Sequence, residues 1–113
     1  MVYCYQEASF EAVVREIFTF AGYKVSDDEV SGDYRFDFIA EDDGRTFAVD
    51  VKSQPQHYSD FVPFLKELVN RTVTHAKDKQ SLPVIVFAGV VDGSVKSKID
   101  EIDSSITVLD IRN

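Results

Sequence analysis

The sequence has no tryptophan and only one cysteine among its 113 residues. The lone Cys4 excludes an internal disulfide and a cluster of thiolate metal ligands. No apolar run approaches the roughly 20 residues that a membrane-spanning helix needs. The opening MVYCYQEASF lacks the basic and apolar regions of a secretory signal. We therefore expect no membrane segment, no disulfide framework and a cytoplasmic location.

Basic residues are also scarce, since 12 Lys and Arg oppose 20 Asp and Glu and leave a formal net charge of −8. Nucleic-acid-binding domains usually present a basic footprint, so this charge counts against a nucleic-acid partner. The balance reverses between residues 66 and 79, which hold four basic and two acidic residues. Because net charge does not describe the local field, a nucleic-acid substrate remains open.

The length and the 44% of hydrophobic residues indicate one globular domain over residues 1–113. Apolar residues at helical spacing predict helices over residues 7–22, 60–79 and 94–102, the first ended by Gly22. Alternating residues predict strands over 34–41 and 45–53, joined by the hairpin signal Asp42-Asp43-Gly44.

Three further strands are predicted, over residues 23–25, 82–90 and 106–111. The run LPVIVFAGV at 82–90 is apolar without alternation, as expected of a strand that is covered on both faces. The predicted order is α-β-β-β-α-β-α-β. The fold class is therefore α/β, with a mixed central sheet flanked by helices.

The predicted hairpin gathers charged side chains on one face. We expect Phe36 and Phe38 to face the same core as the apolar residues of the return strand FAVDVKS. Because side chains alternate along a strand, Asp37 then shares the other face with Asp50 and Lys52. The simple alternative is a surface ion pair between Asp50 and Lys52, which would contribute little to stability.

An acidic residue of the first helix is placed to join this set. Glu11 lies at the border of the helix's apolar stripe, from which it could lean over the sheet. Glu7, one turn earlier, is a competing candidate, and the sequence leaves the choice between the two open.

Two carboxylates and a lysine on one face suit the hydrolysis of phosphodiester bonds. Carboxylate oxygens bind hard cations such as Mg²⁺. A bound cation polarises the phosphate and lowers the pKa of its bound water. A neighbouring lysine then orients that water or balances the charge that develops on the phosphate.

These residues resemble the motifs of the PD-(D/E)XK nuclease superfamily. The resemblance rests on Glu11 in SFEAVVREIF, Asp37 in GDYRFDFIAE and the triplet DVK at 50–52. The resemblance covers nearly the whole chain. Within the superfamily, the chain is most similar to the small core shared by Mrr-like restriction enzymes and archaeal Holliday junction resolvases. Phe36 stands where the motif name has proline, and Asp50 where glutamate is frequent; neither departure removes a metal-binding oxygen.

The resemblance implies a restriction-endonuclease-like fold and assigns roles to individual residues. Asp37, Asp50, Glu11 and the carbonyl of Val51 would be ligands of Mg²⁺ or Mn²⁺, and Lys52 would be the catalytic lysine. The resemblance thus points to a metal-dependent endonuclease that acts on DNA. Gln54, Lys66 and Arg71 are weaker candidates for substrate contacts.

Two alternative functions remain open at this point. A nuclease-fold module that binds or assembles without cutting is favoured by the net charge of −8 and the short chain. A phosphodiesterase that acts on RNA would use the same residues. Because one site cuts one strand, double-strand cleavage would call for a homodimer. The chain is also compatible with a module of a larger protein or complex.

Overall fold

The computed structural model describes residues 2–28, 35–52, 62–88 and 93–111, with side chains from Phe10 onward in the first helix. Within these ranges the elements follow the predicted order α-β-β-β-α-β-α-β. They are α1 (Val2–Phe20), β1 (Lys24–Ser26), β2 (Phe38–Asp42), β3 (Arg45–Lys52), α2 (Val62–Asp78), β4 (Leu82–Ala88), α3 (Gly93–Ile102) and β5 (Thr107–Ile111).

The described strands form one five-stranded mixed sheet in the order β1-β2-β3-β4-β5. The pairs β1–β2 and β2–β3 are antiparallel, whereas β3–β4 and β4–β5 are parallel. Parallel neighbours need a crossover connection, and α2 and α3 supply the two that this sheet requires. The predicted α/β fold with a mixed sheet is confirmed.

The helices cover the two faces of the sheet. Val14 of α1 packs on one face, against Val49, Val84 and their neighbours. Residues of α2 and α3 pack on the other face, against Ile85 and Phe87. Residues 83–87 of β4 are therefore all buried, which confirms the prediction of a strand covered on both sides. Among the described residues, no helix has the length and hydrophobicity needed to span a bilayer.

A left-handed glycine ends α1, as the sequence predicts. Gly22 has a φ of 100°, and its N–H donates to the Thr19 carbonyl at 3.0 Å. The Tyr23 N–H donates to the Phe18 carbonyl at 3.0 Å, and the two aromatic rings meet edge to face at 5.2 Å. This is a Schellman motif with its apolar contact. It turns the chain from α1 directly into β1.

The predicted hairpin is also confirmed, and its turn sets the register of β2 and β3. The two turn residues, Asp43 and Gly44, have positive φ values of 51° and 79°. Positive φ at both central positions is typical of the type I′ turn, whose twist matches that of the strands. The strands pair Asp42 with Arg45 and continue to the pair Phe38–Val49. The next position outward brings Asp37 opposite Asp50.

Two of the predicted boundaries are wrong by more than two residues. The first helix begins at Val2 and not at residue 7, because VYCYQ contains no residue that breaks a helix. The second strand begins at Phe38 and not at residue 34, because the chain bends at Asp37.

The bend overturns the predicted position of one core residue. Phe36 is fully buried, but it packs with Ala48 and Ala76 on the α2 face and not with Phe38 on the α1 face. Its N–H donates at 2.8 Å to Oδ2 of Asp28, and the pairing of β2 with β3 begins at Phe38. A side-chain acceptor thus replaces the sheet at this point, and the regular alternation of faces is lost.

Asp28 also forms a buried ion pair that joins two distant parts of the chain. Its Oδ1 lies 3.0 Å from Nζ of Lys79, and the two side chains are only 5% and 17% exposed. The pair ties the turn after α2 to the segment that leads into β2. Lys79, one of the basic residues of the 66–79 segment, is therefore occupied within the fold.

We predict that Asp28→Ala lowers the free energy of unfolding by about 3 kcal/mol, because it removes the buried carboxylate that accepts from both the Lys79 ammonium and the Phe36 N–H. Urea denaturation followed by circular dichroism measures this loss. The control is Asp78→Ala, which removes an exposed carboxylate from α2 and should change stability by less than about 0.5 kcal/mol. Equal losses in the two variants would contradict the role assigned to Asp28.

Candidate active site

Asp37 and Asp50 meet at the end of the β2–β3 hairpin, through two hydrogen bonds that cross between the strands. The N–H of Asp37 donates to Oδ1 of Asp50 at 3.3 Å. The N–H of Val51 donates to Oδ2 of Asp37 at 2.7 Å. Each carboxylate therefore binds the backbone of the opposite strand, and the structure brings together Asp37 and Asp50 as the sequence predicts.

Asp50 is buried although its side chain is ionisable. It is 3% exposed and lies between Ala48 and Lys52 on the face that α2 covers. A buried carboxylate is costly unless donors or cations compensate for the lost hydration. Its burial argues against an ion pair on a solvated sheet surface, which is the simple explanation of the Asp50–Lys52 spacing.

Lys52 is the last residue of β3 and shares the face of Asp50 by strand alternation. It is half-buried and pairs with Phe87 of β4 in the parallel register. Asp50 and Lys52 therefore lie on the same face of the sheet, as predicted. Its role as the catalytic lysine stays a prediction.

Glu11 is connected to the site through an arginine that the sequence reasoning missed. Its Oε2 accepts a hydrogen bond from Nε of Arg15 at 3.1 Å. Nη2 of Arg15 donates to the Asp37 carbonyl at 2.7 Å and lies 2.9 Å from Oδ1 of Asp27. The guanidinium also stacks on the Phe38 ring, 5.4 Å from its centroid. One arginine thus holds the peptide of Asp37 from the α1 side.

In the described part of the chain, no group of three or more His, Cys, Asp and Glu side chains is arranged to hold one metal ion. Glu11 is therefore not gathered with Asp37 and Asp50, because Arg15 engages its carboxylate. Glu7 lies in α1, at a position whose side chain is outside the described residues. The choice of the helix-borne acid stays a prediction.

The predicted substrate contacts are dispersed. Gln54 lies outside the described residues. Lys66 and Arg71 are exposed on α2, and Nη1 of Arg71 lies 3.8 Å from Oε1 of Glu67. Their contact with a substrate stays a prediction.

One feature of the sequence could have indicated the structural role of Arg15. It follows Glu11 by four residues, the spacing at which helical side chains form ion pairs. It also directly follows Val14, so it stands beside the apolar stripe and not opposite to it. The partners Asp27 and Asp37 are distant in sequence, and no local pattern indicates them.

The donor atoms of this site fit a hard divalent cation. The two aspartate carboxylates lie together beside the Val51 N–H, and they offer oxygen ligands without thiolate or imidazole. Oxygen-only sets suit Mg²⁺ and Mn²⁺, whereas zinc sites draw mainly on cysteine and histidine.

The order of the elements and the mixed sheet define a restriction-endonuclease-like α/β fold. The family model Mrr_cat, described as restriction endonuclease, matches residues 4–112. The chain belongs to this family, and through it to the PD-(D/E)XK nuclease superfamily, which confirms the resemblance seen in the sequence. A search of curated proteins found no matching relative.

We predict that Arg15→Lys lowers the free energy of unfolding by about 1–2 kcal/mol, because an ammonium lacks the planar fork that reaches Glu11, Asp27 and the Asp37 carbonyl together. The exchange of the Val51 amide proton, measured by NMR, should also become faster as Asp37 loses its support.

The matched control is Arg45→Lys. The Arg45 guanidinium also stacks on a phenylalanine, 5.7 Å from the Phe47 ring centroid. Unlike Arg15, however, Arg45 is exposed. That variant should stay within about 0.5 kcal/mol of the wild type. Unchanged exchange at Val51 in Arg15→Lys would contradict the account of Arg15.

Proposed function

We propose that residues 1–113 form one endonuclease domain that hydrolyses DNA phosphodiester bonds with Mg²⁺ or Mn²⁺. The observation that carries this proposal is the crossed pair of hydrogen bonds joining Asp37, Asp50 and Val51, in a chain of the restriction endonuclease family. The family supports a nuclease, and the local donor set supports its dependence on a divalent metal.

The cation would be held by the carboxylates of Asp37 and Asp50 and by the carbonyl of Val51. Two carboxylates so close together repel each other, and a dication offsets that repulsion. When bound, the cation polarises the phosphate and lowers the pKa of a bound water. Asp50 is fixed for this role because residues 48–51 of its strand are buried and its Oδ1 is held by the Asp37 N–H.

Lys52 would act on the same face as Asp50. Its ammonium, at the end of β3, orients the attacking water or balances the charge that develops on the phosphate. Glu11 would be the helix-borne acid that completes the site, as the family resemblance implies. In this structure it pairs with Arg15, so a cation would compete with that arginine for its carboxylate.

DNA would approach the end of the β2–β3 hairpin at which Asp37, Asp50 and Lys52 lie, with Gln54, Lys66 and Arg71 as candidate contacts. One site cleaves one strand, so double-strand cleavage requires two sites, and we propose a homodimer as the simplest arrangement.

A module that binds or assembles without cutting is the second candidate. The net charge of −8 favours it, and so does the pairing of Arg15, Arg71 and Lys79 with acidic residues of this chain. Cations that are engaged in this way contribute less to a basic footprint for a nucleic acid. Activity on RNA with the same residues is an outcome that the cleavage assay separates.

We predict that Lys52→Ala lowers the rate of cleavage by about 100-fold or more, because it removes a charge that acts on the transition state. Asp37→Ala should abolish cleavage through loss of a metal ligand. The assay incubates plasmid, linear and branched DNA, and a matching RNA, with Mn²⁺, after circular dichroism has shown that each variant is folded.

The matched control is Lys24→Ala, which removes an exposed lysine from β1 and should cleave as the wild type does. Cleavage that survives Lys52→Ala unchanged would remove Lys52 from the mechanism. If the wild type cleaves none of these substrates, the endonuclease proposal is rejected in favour of the module that binds or assembles without cutting.

A further inference from the structure

Thr72 of α2 is a polar residue that is fully buried. Its side chain is 0% exposed, and its Oγ1 is buried without a hydrogen-bond partner among the described residues. The other buried polar or charged residues of the described chain are Asp28 and Asp50. An unpaired buried hydroxyl destabilises a fold, whereas valine has the same shape without that cost.

The packing of α2 locates Thr72 relative to the sheet. Ala76, one turn later, packs with Ala48 of β3. Leu68 and Val69, one turn earlier, pack with Ile85 and Phe87 of β4. Since β3 and β4 are parallel, α2 runs over both strands in the opposite direction, with its buried face toward the side of the sheet that carries Asp50.

The rise per residue of the helix and of the strand brings Thr72 level with Asp50. Four helical residues separate Thr72 from Ala76, a rise of about 6 Å. Two strand residues separate Asp50 from Ala48, a rise of about 6.6 Å. Because Ala76 and Ala48 belong to one buried cluster and the two elements run in opposite directions, this spacing places Thr72 at the level of Asp50 and of Ile85, which is the partner of Asp50 in β4.

We propose that Thr72 is a positioning residue of the cation site, whose hydroxyl orients the Asp50 carboxylate through one water molecule. A buried water needs at least two polar partners, and Thr72 and Asp50 are two of the three buried polar or charged residues among those described. This role rests on the proposed function, because it matters when Asp50 is a metal ligand. Groups that orient a ligand in this way commonly change metal affinity by 10–100-fold.

The test measures Mn²⁺ affinity by calorimetry, a readout that does not depend on cleavage. Thr72→Val should bind Mn²⁺ about 10-fold more weakly than the wild type. Thr72→Ser, which retains the hydroxyl, should keep the wild-type affinity. The matched control Thr74→Val makes the same change at an exposed position of α2 and should leave the affinity unchanged.

Three other results would overturn the inference. The variant Asp50→Asn shows whether the role of Thr72 or the metal site itself has failed. Wild-type affinity in Thr72→Val, with affinity lost in Asp50→Asn, would reject the role of Thr72 and leave the metal site standing. Equal weakening in Thr72→Ser and Thr72→Val would assign the effect to packing. If Thr72→Val does not fold, Thr72→Ala is compared with Thr72→Ser by the same criterion. A wild type that binds no Mn²⁺ would reject the proposed function and this inference together.

Discussion

The register of one hairpin determines where the candidate active site lies. The two-residue turn at Asp43 and Gly44 admits no extra residue, so the pairing of β2 with β3 is set from Asp42–Arg45 outward. Asp37 consequently meets Asp50, and each carboxylate accepts a hydrogen bond from the backbone of the opposite strand. A slip of one residue would move every β3 side chain to the other face of the sheet and separate the two aspartates.

The acidic residues of this chain divide into structural and candidate functional groups. Asp28 is neutralised by Lys79 and holds the Phe36 N–H, and Asp27 and Glu11 share Arg15. These contacts hold the chain on both sides of the bend that presents Asp37. The net charge of −8 therefore does not describe one acidic surface, since part of it is compensated inside the fold.

Local patterns predicted the fold well, and contacts between distant residues limited the prediction of the site. Strand alternation and the Asp-Gly turn were sufficient to place Asp50 and Lys52 together on one face of the sheet, with Val49 on the other face. The position of Phe36 was missed because a side chain 8 residues away replaces its strand hydrogen bond. Arg15 and Thr72 were missed for the same reason: their environment depends on how α1 and α2 pack on the sheet, which no short window of sequence contains.

The central claim is that Asp37 and Asp50 together hold a divalent cation, and diffraction from crystals grown with Mn²⁺ tests it most directly. Data collected at the manganese absorption edge would locate the ion without reference to activity. The account predicts an anomalous peak about 2.2 Å from a carboxylate oxygen of each aspartate, with the Val51 carbonyl as a further ligand, and no peak in Asp50→Asn. A manganese ion bound elsewhere, or none at these two carboxylates at millimolar Mn²⁺, would contradict it.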